Sequence, residues 1–331
     1  YSLNEFIKKG SFKKAIIVGV WIGLGVATKL TALLILPVVC VSLFLFALKA
    51  RENTAITTSF FRLTSVSFLR GFLILLTAGI VVVVCQPFML VDWAGFVEDV
   101  VTQGKMVVRE IDFPYTRQYI KTAPYIYNIW HLMVFGLGLP LGLLSLAGVV
   151  FVFQRLTKRL SINGVLFFLL SFIVPAIMLI LWGGILVKTL AISLHVFLFL
   201  LSLYKANRHS VPVAVVLFFT WTLSYFLFVG SLEVKFVRYM APVVPPFIAL
   251  GVFALKTLAC HHDTRRFKRT LAYMVAGGVL LCTGVYAIAF SSIYGGEEHP
   301  GVAMSKWIRA NVPERAVILS EHWEELSLIH I

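Results

Sequence analysis

Residues 211–255 read VPVAVVLFFTWTLSYFLFVGSLEVKFVRYMAPVVPPFIALGVFAL. Two apolar runs flank a short interruption. The interruption carries Glu233, Lys235 and Arg238 within six residues, then Pro242, Pro245 and Pro246. A helix crossing a hydrocarbon layer about 30 Å thick needs about 20 apolar residues. The stretch therefore predicts two membrane-spanning helices joined by a charged connection. The same rule applied outward gives nine candidate spans, at 15–28, 31–48, 71–90, 130–153, 163–184, 189–204, 211–230, 239–255 and 271–292. The predicted fold class is an all-α polytopic membrane protein with about nine transmembrane helices.

Composition agrees. The chain is 60% hydrophobic and 13% charged, with mean hydropathy +0.93, against about 45–50% and about 25% in soluble domains. The net charge of +14 does not point to nucleic acid, because Lys and Arg fall in short clusters between apolar runs and form no continuous basic face. With the N-terminus inside, 18 of the 29 basic residues lie in inside segments and 12 of the 15 acidic residues lie outside, as the positive-inside rule requires. Cys40, Cys85, Cys260 and Cys282 form no C-x-x-C pair and read as small buried hydrophobes. No P-loop, H-E-x-x-H or G-x-S-x-G motif occurs. The start, YSLNEFIKKG, lacks an initiator Met and reads as a chain that begins within a longer protein; SLIHI, 327–331, reads as an artefactual tail.

Three outside segments remain, 91–127, 231–238 and 293–331. In the first, Trp93 to Val108 has the apolar spacing of an interfacial helix. Tyr125, Tyr127 and Trp130 fit an aromatic belt. Asp112, Tyr115, Arg117 and Lys121, set among aromatics and prolines, are candidates for the lining of a polar mouth. In the second, Lys235 and Arg238 are three apart and share one face if the segment is helical. Tyr239 follows, and the prolines would kink the helix and open room in the bundle. Two cations there suit a phosphate or pyrophosphate, with the fixed fork of Arg and the point charge of Lys. Lys29, between apolar runs, is either a snorkelling lysine or a partner for an anionic lipid headgroup. In the third segment, MSKWIRANVP has helical amphipathic spacing and AVIL reads as a short strand.

In their order and spacing, GLGVATKLTALLILP (23–37), YTRQYIKTAPYIYNIWHLMVFGLGLPLGLL (115–144), KFVRYMAPVVPP (235–246) and WIRANVPERAVILSEHWEE (307–325) resemble the polytopic GT-C-fold glycosyltransferases. That group includes the protein O-mannosyltransferases, the lipid A aminoarabinose transferases and glycosyltransferase family 39-like relatives. The resemblance implies a GT-C-like transmembrane domain over 1–292 and, from 293 to 331, the start of a small extracytoplasmic α/β region. It implies a multi-pass protein of a prokaryotic cytoplasmic membrane, active on its extracytoplasmic side. The implied partners are membrane lipid, a polyprenyl-phosphate sugar donor, and a protein, lipid or glycan acceptor. Lys235, Arg238, Tyr239 and Lys29 correspond to the lipid-phosphate part of the site. The acidic residue that such enzymes use in their first outside loop has no counterpart here, so no catalytic residue is assigned and the fragment alone is expected to be inactive. The residues imply no cofactor and leave a divalent cation open. A transporter or flippase of lipid-linked sugars, or a non-enzymatic membrane assembly protein, would also need such charges, and these readings stay open.

Overall fold

The computed structural model describes residues 1–53, 60–181, 185–206, 210–260, 266–293, 295, 298, 300–313 and 316, and no strand occurs among them. Residues 317–319 of the AVIL stretch, the SLIHI tail and residues 182–184 between two of the expected spans fall outside the described residues. Helices α1 (Ser2–Lys9) and α2 (Phe12–Thr28) lead through a 3₁₀ turn, Leu30–Ile35, into α3 (Leu36–Asn53). Then come α4 (Phe60–Cys85), the short α5 (Phe88–Val91) and α6 (Trp93–Val107). After a loop come α7 (Ile126–His131), α8 (Leu139–Thr157), α9 (Ile162–Leu181), α10 (Ile185–Lys205) and α11 (Val213–Gly230). A 3₁₀ turn, Val237–Val243, opens α12 (Val244–Cys260), and α13 (Arg266–Ser292) and α14 (Pro300–Asn311) close the chain. The chain divides into two compact units, 1–276 and 277–331. Within the second, Lys306 and Glu298 form an ion pair.

Among the described residues, seven helical segments are long and apolar enough to cross a membrane: Leu30–Lys49, Ser67–Cys85, Leu139–Thr157, Ile162–Leu181, Val213–Gly230, Val237–Ala259 and Arg266–Ser292. Large apolar side chains such as Phe68, Leu166, Ile177 and Phe197 face outward, where a soluble domain would carry polar groups. The chain is a multi-pass helical membrane protein. The expected spans 15–28 and 189–204 lie in shorter helices, α2 with 17 residues and the Leu190–Lys205 part of α10. The span expected at 130–153 starts later. A π turn, Leu132–Gly136, and Gly138 at φ 75 interrupt the helix before Pro140 restarts it in the first turn of α8. Cys40, Cys85 and Cys282 are exposed on the apolar surface and free. The expectation of buried cysteines is corrected, because a thiol is apolar enough to face lipid.

Packing rests on small residues. On α2 the buried positions are Ala15, Val18, Gly19, Ile22, Gly23 and Val26, one stripe at helical period. A methyl group on Gly19 would lie 2.6 Å from the Ile74 carbonyl oxygen, and one on Gly23 2.6 Å from that of Ala78. The backbones of α2 and α4 therefore meet without intervening side chains, the arrangement that small-xxx-small spacing permits where no hydrophobic force joins helices. Between α8 and α12, Gly148 packs against the Leu250–Gly251 backbone, and a methyl group on Gly251 would lie 2.9 Å from the Leu144 carbonyl oxygen. Helix α11 is the central element, with 61% of its span buried.

Three carbonyls set free by proline are met by side chains. Pro175 lies inside α9 and has no N–H for the carbonyl of Ser171, four residues back. His195 of α10 takes that place, with Nδ1 at 2.8 Å from the Ser171 oxygen. Since a carbonyl only accepts, Nδ1 carries the proton, and Nε2 accepts from Ser224 Oγ of α11 at 2.9 Å. The Pro242 carbonyl faces Pro245 and Pro246, neither of which can donate, and Trp221 Nε1 donates to it at 2.8 Å. The Tyr239 carbonyl faces Pro242 across the 3₁₀ turn, and Tyr225 Oη donates to it at 2.9 Å. The three prolines after Arg238 thus lie at the start of the span Val237–Ala259 and not in the interior of an α-helix. Pro242 lies in the 3₁₀ turn, and Pro245 and Pro246 lie in the first turn of α12, where N–H groups have no helical partner.

Candidate anion-binding site

The C-terminal ends of α2, α4 and α11 and the start of α12 meet at one end of the bundle. Gln86, just past α4, donates from Nε2 to the Ala27 carbonyl of α2. The loop after α6 folds onto the α11–α12 connection. Val234 N–H donates to the Val107 carbonyl at 3.2 Å, and Tyr125 N–H to that of Gly230 at 3.0 Å. Tyr125 Oη reaches the Leu227 carbonyl at 3.0 Å, and the buried Asn128 donates to Gly230 at 3.3 Å. Among the described residues, the non-glycine residues at positive φ are Arg109, Lys121 and Tyr125, all in this one loop. Such backbone is costly for L-residues and gathers where a site constrains the chain.

Lys29, Arg238 and Tyr239 come together at this end. Lys29 ends α2 in extended backbone, with Nζ 5.5 Å from the centre of the Tyr239 ring. The Arg238 guanidinium lies 5.9 Å from the same ring and 4.5 Å from that of Phe236. Both cations are exposed, and each is held by a ring quadrupole. Phe236 joins the aromatic cluster, with Tyr115 at 6.1 Å and Tyr119 and Tyr239 at 5.4 Å each. Tyr119 meets Tyr127 edge-on at 5.9 Å, and Tyr127 stacks on His131 at 3.9 Å. Burial, with Tyr127 and Tyr239 adding and Arg238 opposing, pushes the Tyr119 hydroxyl up to about 12. It therefore stays a neutral donor at any physiological pH.

The other sequence candidates sit differently. Lys235 does not share a helical face with Arg238. It precedes the 3₁₀ turn, in a non-helical connection of turn and bends (231–236) that the backbone bond of Val234 to Val107 ties to the loop. Its side chain is 3% exposed, and Nζ donates to the Glu233 carbonyl at 3.0 Å. Asp112 and Arg117 pair with each other, Nη2 to Oδ2 at 2.7 Å, fully in the open. The Arg117 hydrogen bond holds the Asp112 carboxyl below its usual range. Each neutralises the other, Lys121 is exposed, and of the loop candidates Tyr115 alone reaches the cluster. Of the expected aromatic belt, Trp130 faces outward while Tyr125 turns in to α11. The helix expected from Trp93 to Val108 forms as α6, with Val97, Val100 and Val101 exposed.

Beside the cluster lies an apolar cavity of about 520 Å³, whose lining includes Trp21, Ile22, Gly25, Ala32, Ile35 and Trp221. Trp221 contacts Tyr225 at 5.2 Å, ring to ring, and Tyr225 Oη donates to the Tyr239 carbonyl, which links the cavity lining to the cluster. Sequence reasoning missed Phe236 and Arg109 as members of this region. An aromatic residue before a charged turn carries no local mark of its tertiary partners. Among the described residues no three of His, Cys, Asp and Glu gather as metal ligands. In comparison with known proteins, no family model, no curated protein and no solved structure matches this chain, so its function is argued from the site.

Proposed function

We propose that this chain is the membrane part of a glycosyltransferase that takes a sugar from a polyprenyl-phosphate donor at the extracytoplasmic face of a prokaryotic membrane and delivers it to a protein, lipid or glycan acceptor. The observation that carries the reading is the meeting of Lys29 and Arg238 at the Tyr239 ring, beside an apolar cavity. A lipid phosphate has two halves with opposite needs. Its anionic head requires fixed cations, since burial of a bare charge is prohibitive. Its tail requires an apolar trough. Charge that builds on phosphate oxygens as the sugar leaves is stabilised by cations already in position. The aromatic faces of Phe236 and Tyr239 limit where the two cations can go. Nine crossings, with α2 and α10 counted, and a C-terminal α/β region after 293 belong to the same reading. So does the charge bias that puts the site outside. The acidic group that activates the acceptor is not assigned to any residue here.

Binding of a short-chain polyprenyl phosphate to the detergent-purified chain, followed through tryptophan fluorescence, tests the reading. Lys29→Ala and Arg238→Ala should each weaken binding about tenfold, the scale of one charge-assisted contact. Unchanged binding in both variants, with intact thermal midpoints, would remove the site. Transport of the lipid in proteoliposomes, with no sugar transferred by the full-length protein, would favour a flippase.

A further inference from the structure

A second, separate group of cations lies where the α6 loop meets the α11–α12 connection. Helix α6 ends in a Schellman turn, in which Glu110 N–H donates to Lys105 O at 2.9 Å and Arg109 N–H to Met106 O at 3.0 Å. The residue at the left-handed position of that turn is normally glycine; here it is Arg109, at φ 57. The fold bears a conformational cost for a side chain that glycine would avoid. The Arg109 Nε is fully shielded and has no hydrogen-bond partner. The bond from Val234 to Val107 sets Lys235 alongside. Lys235 is 3% exposed, and its one hydrogen bond is to a backbone carbonyl, so an ammonium with three donors is left short of acceptors. Burial lowers its affinity for a proton, Glu233 opposes this, and the nearby Arg109 lowers it further.

The neighbouring carboxylates do not satisfy the pair. Glu233 is shared between Lys235 and Lys188 at the start of α10, and Glu110 acts on Lys188. Asp112 is held first by Arg117, and Arg109 adds only a weak attraction. A buried ammonium with one backbone acceptor and a guanidinium whose shielded Nε has no partner are incomplete without an anion. We propose that Arg109 and Lys235 bind a single oxyanion, a phosphate ester or carboxylate, at a site distinct from the Lys29–Arg238 cluster. A planar guanidinium beside an ammonium provides the fork and point charge that such a group takes. The site does not depend on the identity of the sugar donor.

The test uses the whole chain in phosphatidylcholine nanodiscs, with ionic strength held constant by sodium chloride. Inorganic phosphate should raise the thermal midpoint of the wild type. If the oxyanion is instead a lipid headgroup, nanodiscs containing phosphatidylglycerol should raise it while inorganic phosphate does not. Under either source, Lys235→Met and Arg109→Gly should abolish the rise, or weaken the apparent affinity about tenfold or more. Lys235→Arg should restore it. Arg109→Gly relieves the left-handed strain, so its midpoint without anion should be no lower than wild type, which separates lost binding from lost folding. No stabilisation of the wild type by either anion would overturn the proposal, as would an unchanged response in both charge-removing variants. The Lys29 and Arg238 variants should respond like wild type, so the two sites stand or fall separately.

Discussion

Tyr119 shows what a buried phenol contributes at the end of the bundle. Its folded-state pKa of about 12 lies above the ordinary 10.0, and that of Tyr125 is likewise about 12 through burial. In both, the native state favours the protonated form. The associated stability is fully present below pH about 10 and is lost as pH rises toward 12. A spectrophotometric titration of the purified protein should show phenols that ionise near 12, and Tyr119→Phe should remove one of them. Ionisation of Tyr119 with the exposed tyrosines would contradict its burial. His195 offers a sharper case. Replacing it by Ala strands the Ser171 carbonyl and should cost about 1–3 kcal/mol. Pro175→Ala gives α9 its own N–H for that carbonyl. In that background the His195→Ala cost should fall by about 1 kcal/mol, read as coupling in a double-mutant cycle of thermal midpoints. Additive effects would break the proposed link between Pro175 and His195. The freed carbonyl was legible in the sequence, since proline always orphans its own i−4 oxygen. The donor was not, because it comes from another helix.

Among elements, the apolar runs were the most legible feature, since period and length alone mark a helix that faces lipid. Charged connections were harder. Lys235 and Arg238 looked like neighbours on one helical face, and a single backbone bond to Val107 turned them to separate surroundings. Arg109 carried no signal at all, because a left-handed φ at an arginine is imposed by the turn and its docking. Helix contacts through glycine lie between these extremes. Gly19-x-x-x-Gly23 has a visible spacing, but the partner helix α4 does not follow from it. Gly19→Leu would force α2 from α4 and should destabilise the protein by about 1–3 kcal/mol. Gly148→Leu should cost at least as much, since the added atoms meet backbone. Thermal midpoints in detergent measure both; a wild-type value for Gly148→Leu would mean that α8 and α12 do not pack as described.

At the scale of the whole molecule, sidedness is the property on which the enzyme reading depends. Helix α8 separates Gln118, in the loop by the site, from Lys158, in a basic connection. In a background without native cysteines, a membrane-impermeant thiol reagent applied to intact cells should label Gln118→Cys and leave Lys158→Cys unlabelled until the cells are opened. The reverse pattern would put the cluster on the cytoplasmic side and end the case for an extracytoplasmic donor site. In the sequence, charge bias is what bears on this side. The site itself was half legible, as a set of residue types whose grouping only the tertiary fold supplied.

The proline-freed carbonyls also constrain how the bundle is assembled. A lone α9 inserted in lipid carries the Ser171 oxygen with no hydrogen bond, at a cost of several kcal/mol. Its complement arrives only when α10 and α11 dock, because His195 and Ser224 are the donors in that chain of bonds. The start of α12 is in the same position until Trp221 and Tyr225 of α11 reach it. Helix α11 thus serves as a common donor surface for late-joining spans. Insertion of each helix is separable from its locking, and the locking is directional: a wrong neighbour, however apolar, leaves an oxygen unmet and is released again.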